Sequence, residues 1–371
     1  MIGNYRIQKR AFQTLGFILT VFLAVLILPG GAAGGGFDFN DMTLPPGFKA
    51  STFFSGSGFD PDRNQNAGGI PAIVSFVFDH QGNLYFARTA NRLREIYDSD
   101  SAPIYRVPAG IRRIDPKTEQ KFLFGPDLKD PDEVAVNDQG EVFVSSSDLR
   151  EGYGSVYRLS PDGKAALFAG GPPAKGGQPL FLDPEGIAFD HQGNVYVTDR
   201  DLGKVVKLDK GGKLINPEFI KGLGRVRTLT FDPRGFFWVG SDGPHFTPHE
   251  DGSGRIFRAA LPDGRLKLLH SGPLASGMGL SPKGNLFAAQ RRSGLLFALT
   301  PGGRRVEFAT FDGDAALRTL AFPPDTEETR QAGIAGDLFV MVFPELDYPV
   351  REIIRISGPF DEYVEKAARG N

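Results

Sequence analysis

The stretch Asp183-Pro-Glu-Gly-Ile-Ala-Phe-Asp-His-Gln-Gly-Asn-Val-Tyr-Val-Thr-Asp199 sets two short apolar runs on either side of a polar turn centred on glycine. Gly186–Asp190 reads as a strand, His191–Asn194 as a turn whose glycine takes positive φ, and Val195–Thr198 as a second strand. Asp199–Gly203 turns again, Lys204–Leu208 gives a third strand, and Asp209-Lys-Gly-Gly212 leads into a fourth. The phrase recurs as FDHQGNLYFA from Phe78, VNDQGEVFVS from Val136, FDPRGFFWVG from Phe231 and LSPKGNLFAA from Leu280, with a degenerate IAGDLFVMV from Ile334. Its central glycines, Gly82, Gly140, Gly193, Gly235, Gly284 and Gly336, lie 58, 53, 42, 49 and 52 residues apart. Self-similarity at such a period marks stacked supersecondary units. Four antiparallel strands repeated six times give an all-β, six-bladed β-propeller, whereas a sandwich or single barrel leaves the period unexplained.

The outer turns repeat as well, at Asp115-Pro-Lys, Ser160-Pro-Asp-Gly163, Asp209-Lys-Gly-Gly212, Leu261-Pro-Asp-Gly264 and Thr300-Pro-Gly-Gly303. The sixth unit lacks this last hairpin after its third strand, Val350–Ser357, so its fourth strand is expected from Phe48–Phe54. The chain then divides into an N-terminal segment 1–33, a linker 34–43, a propeller 44–357 and a polar tail 358–371.

Arg6, Lys9 and Arg10 precede the apolar run Leu15–Leu28, and Gly30–Gly36 is rich in small residues. This is the pattern of a signal peptide, with an uncleaved inner-membrane anchor as the alternative. Export to the periplasm or cell exterior follows, and contact with the membrane is expected only through that segment. The 371 residues include no cysteine, which removes disulfides and thiolate metal sites. A net charge of −2 without a basic block beyond the N-terminus argues against nucleic acid as a partner. A small molecule or another extracytoplasmic protein is expected instead. Walker A, Rossmann and nucleophile-elbow motifs are absent.

In a propeller the inner strand of each blade starts at one mouth of the central channel, and the link between second and third strands returns there. Eight residues before the hairpin glycines stand Val74, Asp132, Glu185, Arg227 and Ser276; matching Arg318-Thr-Leu-Ala-Phe322 to Arg227-Thr-Leu-Thr-Phe231 adds Arg318. Charges converging on a channel are costly unless paired or bound to a ligand. One reading is therefore a self-neutralising ion network. The other is a ligand site in which Arg227 and Arg318 hold an anionic group while Asp132 and Glu185 bind a metal, accept hydroxyls or act as a base. The returning links add Arg88, Ser146, Asp148, Asp199, Ser241, Asp242, Gln290 and Arg291. Asp199 either joins Glu185 and Asp132 around a hard cation such as Ca²⁺ or caps its own turn. His245 and His249 fall in a stretch broken by Pro244, Pro248 and Gly252, which suits a solvated loop better than a helical metal site. Trp238 and the 32 phenylalanines fall on strands, where packing between blades is their expected role.

The 183–199 phrase resembles the NHL repeat and the six-bladed propellers of SMP-30/gluconolactonase-type hydrolases. Leu44-Pro-Pro-Gly-Phe48 and Gly336-Asp-Leu-Phe-Val340 resemble the ends of soluble quinoprotein sugar dehydrogenases. The hydrolase resemblance implies a divalent cation on Glu, Asn and Asp at inner-strand positions. Glu185 and Asp132 match by type; no asparagine matches, Arg227 follows in the next blade, and Asp199 or Asp148 would have to substitute. The dehydrogenase resemblance implies pyrroloquinoline quinone (PQQ) held by Arg227, Arg318, Arg291 or Arg88, with a histidine base from His245 or His249. That family's histidine precedes an inner strand, and its phrase after the sixth-blade strand is replaced here by Phe343-Pro-Glu345. The NHL resemblance alone implies a non-catalytic module that binds a protein or glycan.

Overall fold

Six small antiparallel sheets surround a central channel. In the computed structural model, residues 37, 39–55, 59–60, 65–66, 73–88, 101–112, 114, 119–242, 254–261, 264–273, 275–291, 293–311, 316–343 and 352–370 are described. The N-terminal segment 1–33, the Asp115-Pro-Lys turn, His245, His249 and the side chain of Arg88 lie outside them.

The third blade runs Pro184–Phe189, Val195–Asp199, Lys204–Leu208 and Leu214–Lys221 from channel to rim, close to the strands read from the sequence. The second, fourth and fifth blades repeat this order, starting at Pro131–Val136, Val226–Phe231 and Ala275–Leu280. In the first blade Ile73–Phe78, Leu84–Arg88 and Ile104–Val107 pair, and the rim is represented by a bridge between Tyr105 and Leu123. The sixth blade joins Ala316–Ala321, Leu338–Phe343 and Glu352–Ser357 to Lys49–Ser55, the N-terminal strand expected to close the ring. Its register runs from Lys49 opposite Ser357 to Ser55 opposite Glu352.

The six repeat glycines have φ of 79, 77, 79, 80, 79 and 78°, a conformation an L-residue resists. The first five turns are further fixed by a side chain that begins them, Asp79, Asn137, Asp190, Asp232 or Ser281. Asp79 Oδ1 accepts the backbone N–H groups of Gln81 and Asn83 at 2.9 and 2.8 Å, and its Oδ2 accepts Asn83 Nδ2 at 2.7 Å. Asp190 repeats this set at 2.9, 2.9 and 2.8 Å. The fifth copy has Ser281 at that place, too short to reach Asn285 Nδ2. The missing carboxylate comes from Asp361, whose Oδ1 accepts Asn285 Nδ2 at 2.7 Å and the Ser281 hydroxyl.

Asp361 belongs to a helix, Phe360–Arg369, in the stretch read from the sequence as a polar tail. Phe360 and Val364, spaced to share one helical face, are buried against the fifth and sixth blades. The insertion that disturbs the sixth repeat also forms a helix, Glu327–Gln331, opened by a capping box between Thr326 and Thr329. Thr326 Oγ1 donates to the His80 carbonyl at 2.7 Å, so this insertion ties the last blade to the first hairpin.

Between blades the core is aromatic. Trp238 is fully buried between the fourth and fifth blades with Ile256, Ala288 and Phe297. Phe53 meets Phe339 at 4.5 Å between ring centroids, and Phe54, fully buried, lies 5.8 Å from Phe86 of the first blade. Phe54 thus packs across the closing joint while its backbone completes the sixth sheet. Phe54→Ala is expected to cost about 3–5 kcal/mol, measured as a lower urea midpoint; an unchanged midpoint would remove this strand from the closure.

Candidate functional site

All six inner strands are irregular at the same place. The pairing with the second strand slips between Ile73 and Ser75, Pro131 and Val134, Pro184 and Ile187, Val226 and Thr228, Ala275 and Gly277, and Leu317 and Leu320. Such bulges bend a strand and re-aim its side chains. Val74, Asp132, Glu185, Arg227, Ser276 and Arg318 all sit inside these slips. They line one cavity of about 370 Å³ at the channel, five at positions counted from the hairpin glycines and Arg318 at the one matched between blades.

Hydroxyl groups hold the bulges against one another. Ser145 Oγ accepts the Glu133 N–H at 2.9 Å and donates to the Glu185 carbonyl at 2.7 Å. Thr198 Oγ1 likewise joins the Gly186 N–H to the Arg227 carbonyl. Ser75, Ser276 and Thr319 bridge the first to the second, fifth to sixth and sixth to first blades through Val134 N–H, Leu317 C=O and Val74 C=O. The Ser276 hydroxyl is therefore committed to backbone. Gly277 approaches so closely that a Cβ there would lie 1.8 Å from the Arg318 carbonyl oxygen.

The charges form a graded network. Arg227 Nη1 donates to both oxygens of Glu185 at 2.9 Å, while its Nε and Nη2 reach Asp242 at 3.2 and 2.9 Å. Asp242 is wholly buried, so this pair is a closed clasp. Arg200 adds a second guanidinium, with Nη1 on Glu185 at 2.5 Å and Nη2 against Asp183. Arg318 differs: its Nη2 stands 3.6 Å from Asp132 Oδ1, beyond hydrogen-bond reach, with both side chains partly open to the cavity.

Protonation follows this grading. Burial alone would raise Glu185, but Arg227, Arg200, Arg318 and Arg225 outweigh it and hold its carboxyl below the ordinary range. Asp132 is pushed well above that range by burial and then by Glu185, Asp130 and Asp183, with Arg318 opposing. Burial lifts Glu133 to about 8 and Asp183 to about 6, in each case against a nearby arginine. Burial and the like charge of Arg227 lower Arg318 despite its acidic neighbours. The mouth thus sets two carboxyls with raised proton affinity, Asp132 and Glu133, beside the loosely paired Arg318, and Asp132 also borders the saturated ion pairs of Glu185.

Asp199 takes the capping role. Its Oδ2 accepts the Leu182 and Asp183 N–H groups at 2.7 and 3.3 Å, and its Oδ1 accepts Leu202 N–H at 2.8 Å. Asp183, rather than Asp199, joins Asp132 and Glu185, and one carboxylate oxygen from each lies within 4.8 Å of the others. Such a triad has the oxygen ligands of a hard cation. The surrounding guanidiniums fit this poorly, because Arg200 and Arg227 already occupy the Glu185 lone pairs and Arg200 also meets Asp183. Arg291 lies outside the cavity lining, and its carbonyl accepts the Leu317 N–H at 3.0 Å. Asp148 fixes its own turn through Glu151 N–H at 3.2 Å, while the hydroxyls of Ser146 and Ser241 donate to the carbonyls of Lys129 and Leu223. Gln290 is bonded by the Ser293 hydroxyl at 2.9 Å.

Four site residues escaped the sequence reading: Asp130, Glu133, Asp183 and Arg200. A signal for three was present: Asp130-Pro-Asp132 and Asp183-Pro-Glu185 share an acid-Pro-acid pattern at equivalent places, and Arg200 follows Gly193 by seven residues as Asp242 follows Gly235. Asp130 has φ of 32°, the one positive φ among the described non-glycine residues.

No protein-family model matches the sequence, and no curated protein matches it significantly. Solved structures do resemble it. A glucose dehydrogenase-type oxidoreductase from Thermus thermophilus is 16% identical with a TM-score of 0.52, over 84% of this chain and 100% of that one. A gluconolactonase-like protein is 16% identical with a TM-score of 0.52, over 86% and 95%. An inactive virginiamycin B lyase from Staphylococcus aureus with quinupristin is 11% identical with a TM-score of 0.50, over 84% and 99%. At these identities the likeness is one of fold.

Two outcomes test the network. Asp242→Asn leaves Arg227 with a neutral partner in a buried place and is expected to destabilise by about 3–5 kcal/mol, read from urea unfolding. Glu133 binds its proton more tightly folded than unfolded, where a glutamate titrates near about 4.3. Its contribution to stability is therefore full below that value and is lost as pH rises toward about 8. Asp132 and Asp183, raised likewise, act in the same direction, and Glu185 in the opposite one. Melting temperature should fall less between pH 4.5 and 8 in Glu133→Gln than in the wild type; parallel curves would exclude the raised carboxyl.

Proposed function

We propose that the protein binds a small hydroxylated carboxylate at the channel mouth. The supporting observation is Arg318, a guanidinium that lines a cavity of about 370 Å³ and stands 3.6 Å from its nearest acid. A ligand carboxylate can take both of its N–H directions at once, the geometry for which arginine is suited. Burial pushes the Asp132 and Glu133 carboxyls toward the protonated form, in which they donate hydrogen bonds to the same anion or to hydroxyl groups without repelling it. Glu185 and Arg227 act as the wall that holds this arrangement rather than as its contact groups.

A lactonase-like hydrolase with a divalent cation on Glu185, Asp132 and a third acid meets lone pairs already taken by Arg200 and Arg227. A PQQ-dependent sugar dehydrogenase needs free guanidiniums for the quinone carboxylates, and Arg227 is saturated. A non-catalytic module remains compatible with every contact described, and it is the reading supported if binding occurs without turnover. Export, with the propeller working in the periplasm or cell exterior, belongs to the same proposal and rests on residues 1–33.

Calorimetric titration with D-gluconate and its lactone tests the proposal. Arg318→Met should weaken gluconate binding about 10- to 100-fold, the range for a hydrogen bond to a charged group, with unchanged circular dichroism. Affinity indifferent to Arg318 would remove the site; absence of binding to either probe would remove the sugar-acid class.

A further inference from the structure

The acidic triad poses a question that the binding proposal does not answer: why three carboxylates converge where guanidiniums already crowd. Across a Ca²⁺ ion with ligands at about 2.3–2.6 Å, opposed oxygens stand about 4.6–5.2 Å apart. The oxygens of Asp132, Asp183 and Glu185 lie within 4.8 Å of one another, so they outline a cation-sized space. The Arg200 guanidinium faces that space, with Nη1 2.5 Å from Glu185 Oε1 and Nη2 against Asp183 Oδ2.

Arg200 is held there from several sides. Its backbone N–H donates to the Asp183 carbonyl at 2.9 Å, in the loop that Asp199 caps. Its Nε lies 3.7 Å from Asp201 Oδ1, and only 21% of its side chain is exposed. Asp183 Oδ1 is oriented by the Ser147 hydroxyl at 2.8 Å, which presents Oδ2 to the guanidinium. Glu185 is shared between Arg200 and Arg227, and the latter cannot move inward because Asp242 clasps its other edge.

We infer that Arg200 is a built-in replacement for a divalent cation, so that the mouth keeps its acidic triad assembled without metal. A metal at this place would have to displace a guanidinium from two carboxylates and then sit beside two positive side chains. The positive charge of the site is instead part of the chain, present whatever the calcium level around the protein. Removing the Arg200 side chain alone should turn the same oxygens into a cation site, because Glu185 keeps Arg227 and Asp183 keeps the Ser147 hydroxyl, while Asp132 stays on its bulged strand.

The experiment is equilibrium dialysis against radiolabelled Ca²⁺, with melting curves in EDTA and in Ca²⁺, on the wild type, Arg200→Ala, Arg200→Gln and Arg200→Lys. The wild type and Arg200→Lys should take up no stoichiometric calcium and melt at the same temperature in both solutions. Arg200→Ala and Arg200→Gln should each gain one site and melt higher in calcium, with affinity on the order of 10⁻⁴–10⁻³ M as in other open oxygen sites. If either variant fails to fold alone, calcium should restore its folding, since the ion fills the vacated position. Stoichiometric calcium on the wild type overturns the inference. So does an Arg200→Ala or Arg200→Gln that folds but takes up no calcium, or a misfolded one that calcium does not rescue. These readouts do not involve gluconate, so this inference and the binding proposal fail separately.

Discussion

Six inner strands must converge on one narrow channel, and the bulge at the start of each is how the chain meets that constraint. A regular strand would alternate its side chains between the two faces of the blade. The slip between Pro184 and Ile187, and its five counterparts, turns one residue per blade toward the axis instead. The hydroxyls of Ser75, Ser145, Thr198, Ser276 and Thr319 then satisfy inter-blade backbone groups that the slips free or expose. Where the fourth blade meets the fifth the pattern lapses, and Thr228 Oγ1 is buried without a partner. The position of every ring side chain follows from this belt.

Placing charged residues at such positions creates an electrostatic problem, which is solved unevenly around the ring. On the side of the third and fourth blades, Glu185, Asp242, Arg227 and Arg200 satisfy one another in short, nearly dry contacts. Beside them, burial raises the proton affinity of Asp132 and Glu133, and Arg318 has only a distant partner. Buried pairs of the first kind add order more surely than stability. The second kind leaves unspent hydrogen-bonding capacity facing a cavity, which is what a ligand uses.

Much of this was legible in the sequence because the blades share one geometry. A fixed offset from glycines whose φ is the same within a few degrees located Asp132, Glu185 and Arg227, and homology between two blades located Arg318. The closing strand was legible too, from a missing outer hairpin. Arg200 was passed over in favour of its neighbour Asp199, although it follows Gly193 by seven residues, as Asp242 follows Gly235 and Arg291 follows Gly284. The C-terminal helix was hidden for another reason. It is ten residues long, its N-cap Pro359 makes no side-chain hydrogen bond, and its stability comes from Phe360 and Val364 docking on strands far away in sequence.

The joint between Phe54 and Ile353 has a further consequence, set by the order in which the chain is made. The strand that completes the last blade is among the first parts of the propeller to be synthesised, and its partner is among the last. At roughly 5–20 residues per second, the intervening stretch of roughly 300 residues takes about 15–60 s to emerge. Throughout that interval Phe53 and Phe54 have no sheet to join, and the sixth blade has no outer edge. The propeller can accumulate finished blades during synthesis, but its ring can close only after Glu352–Ser357 has emerged.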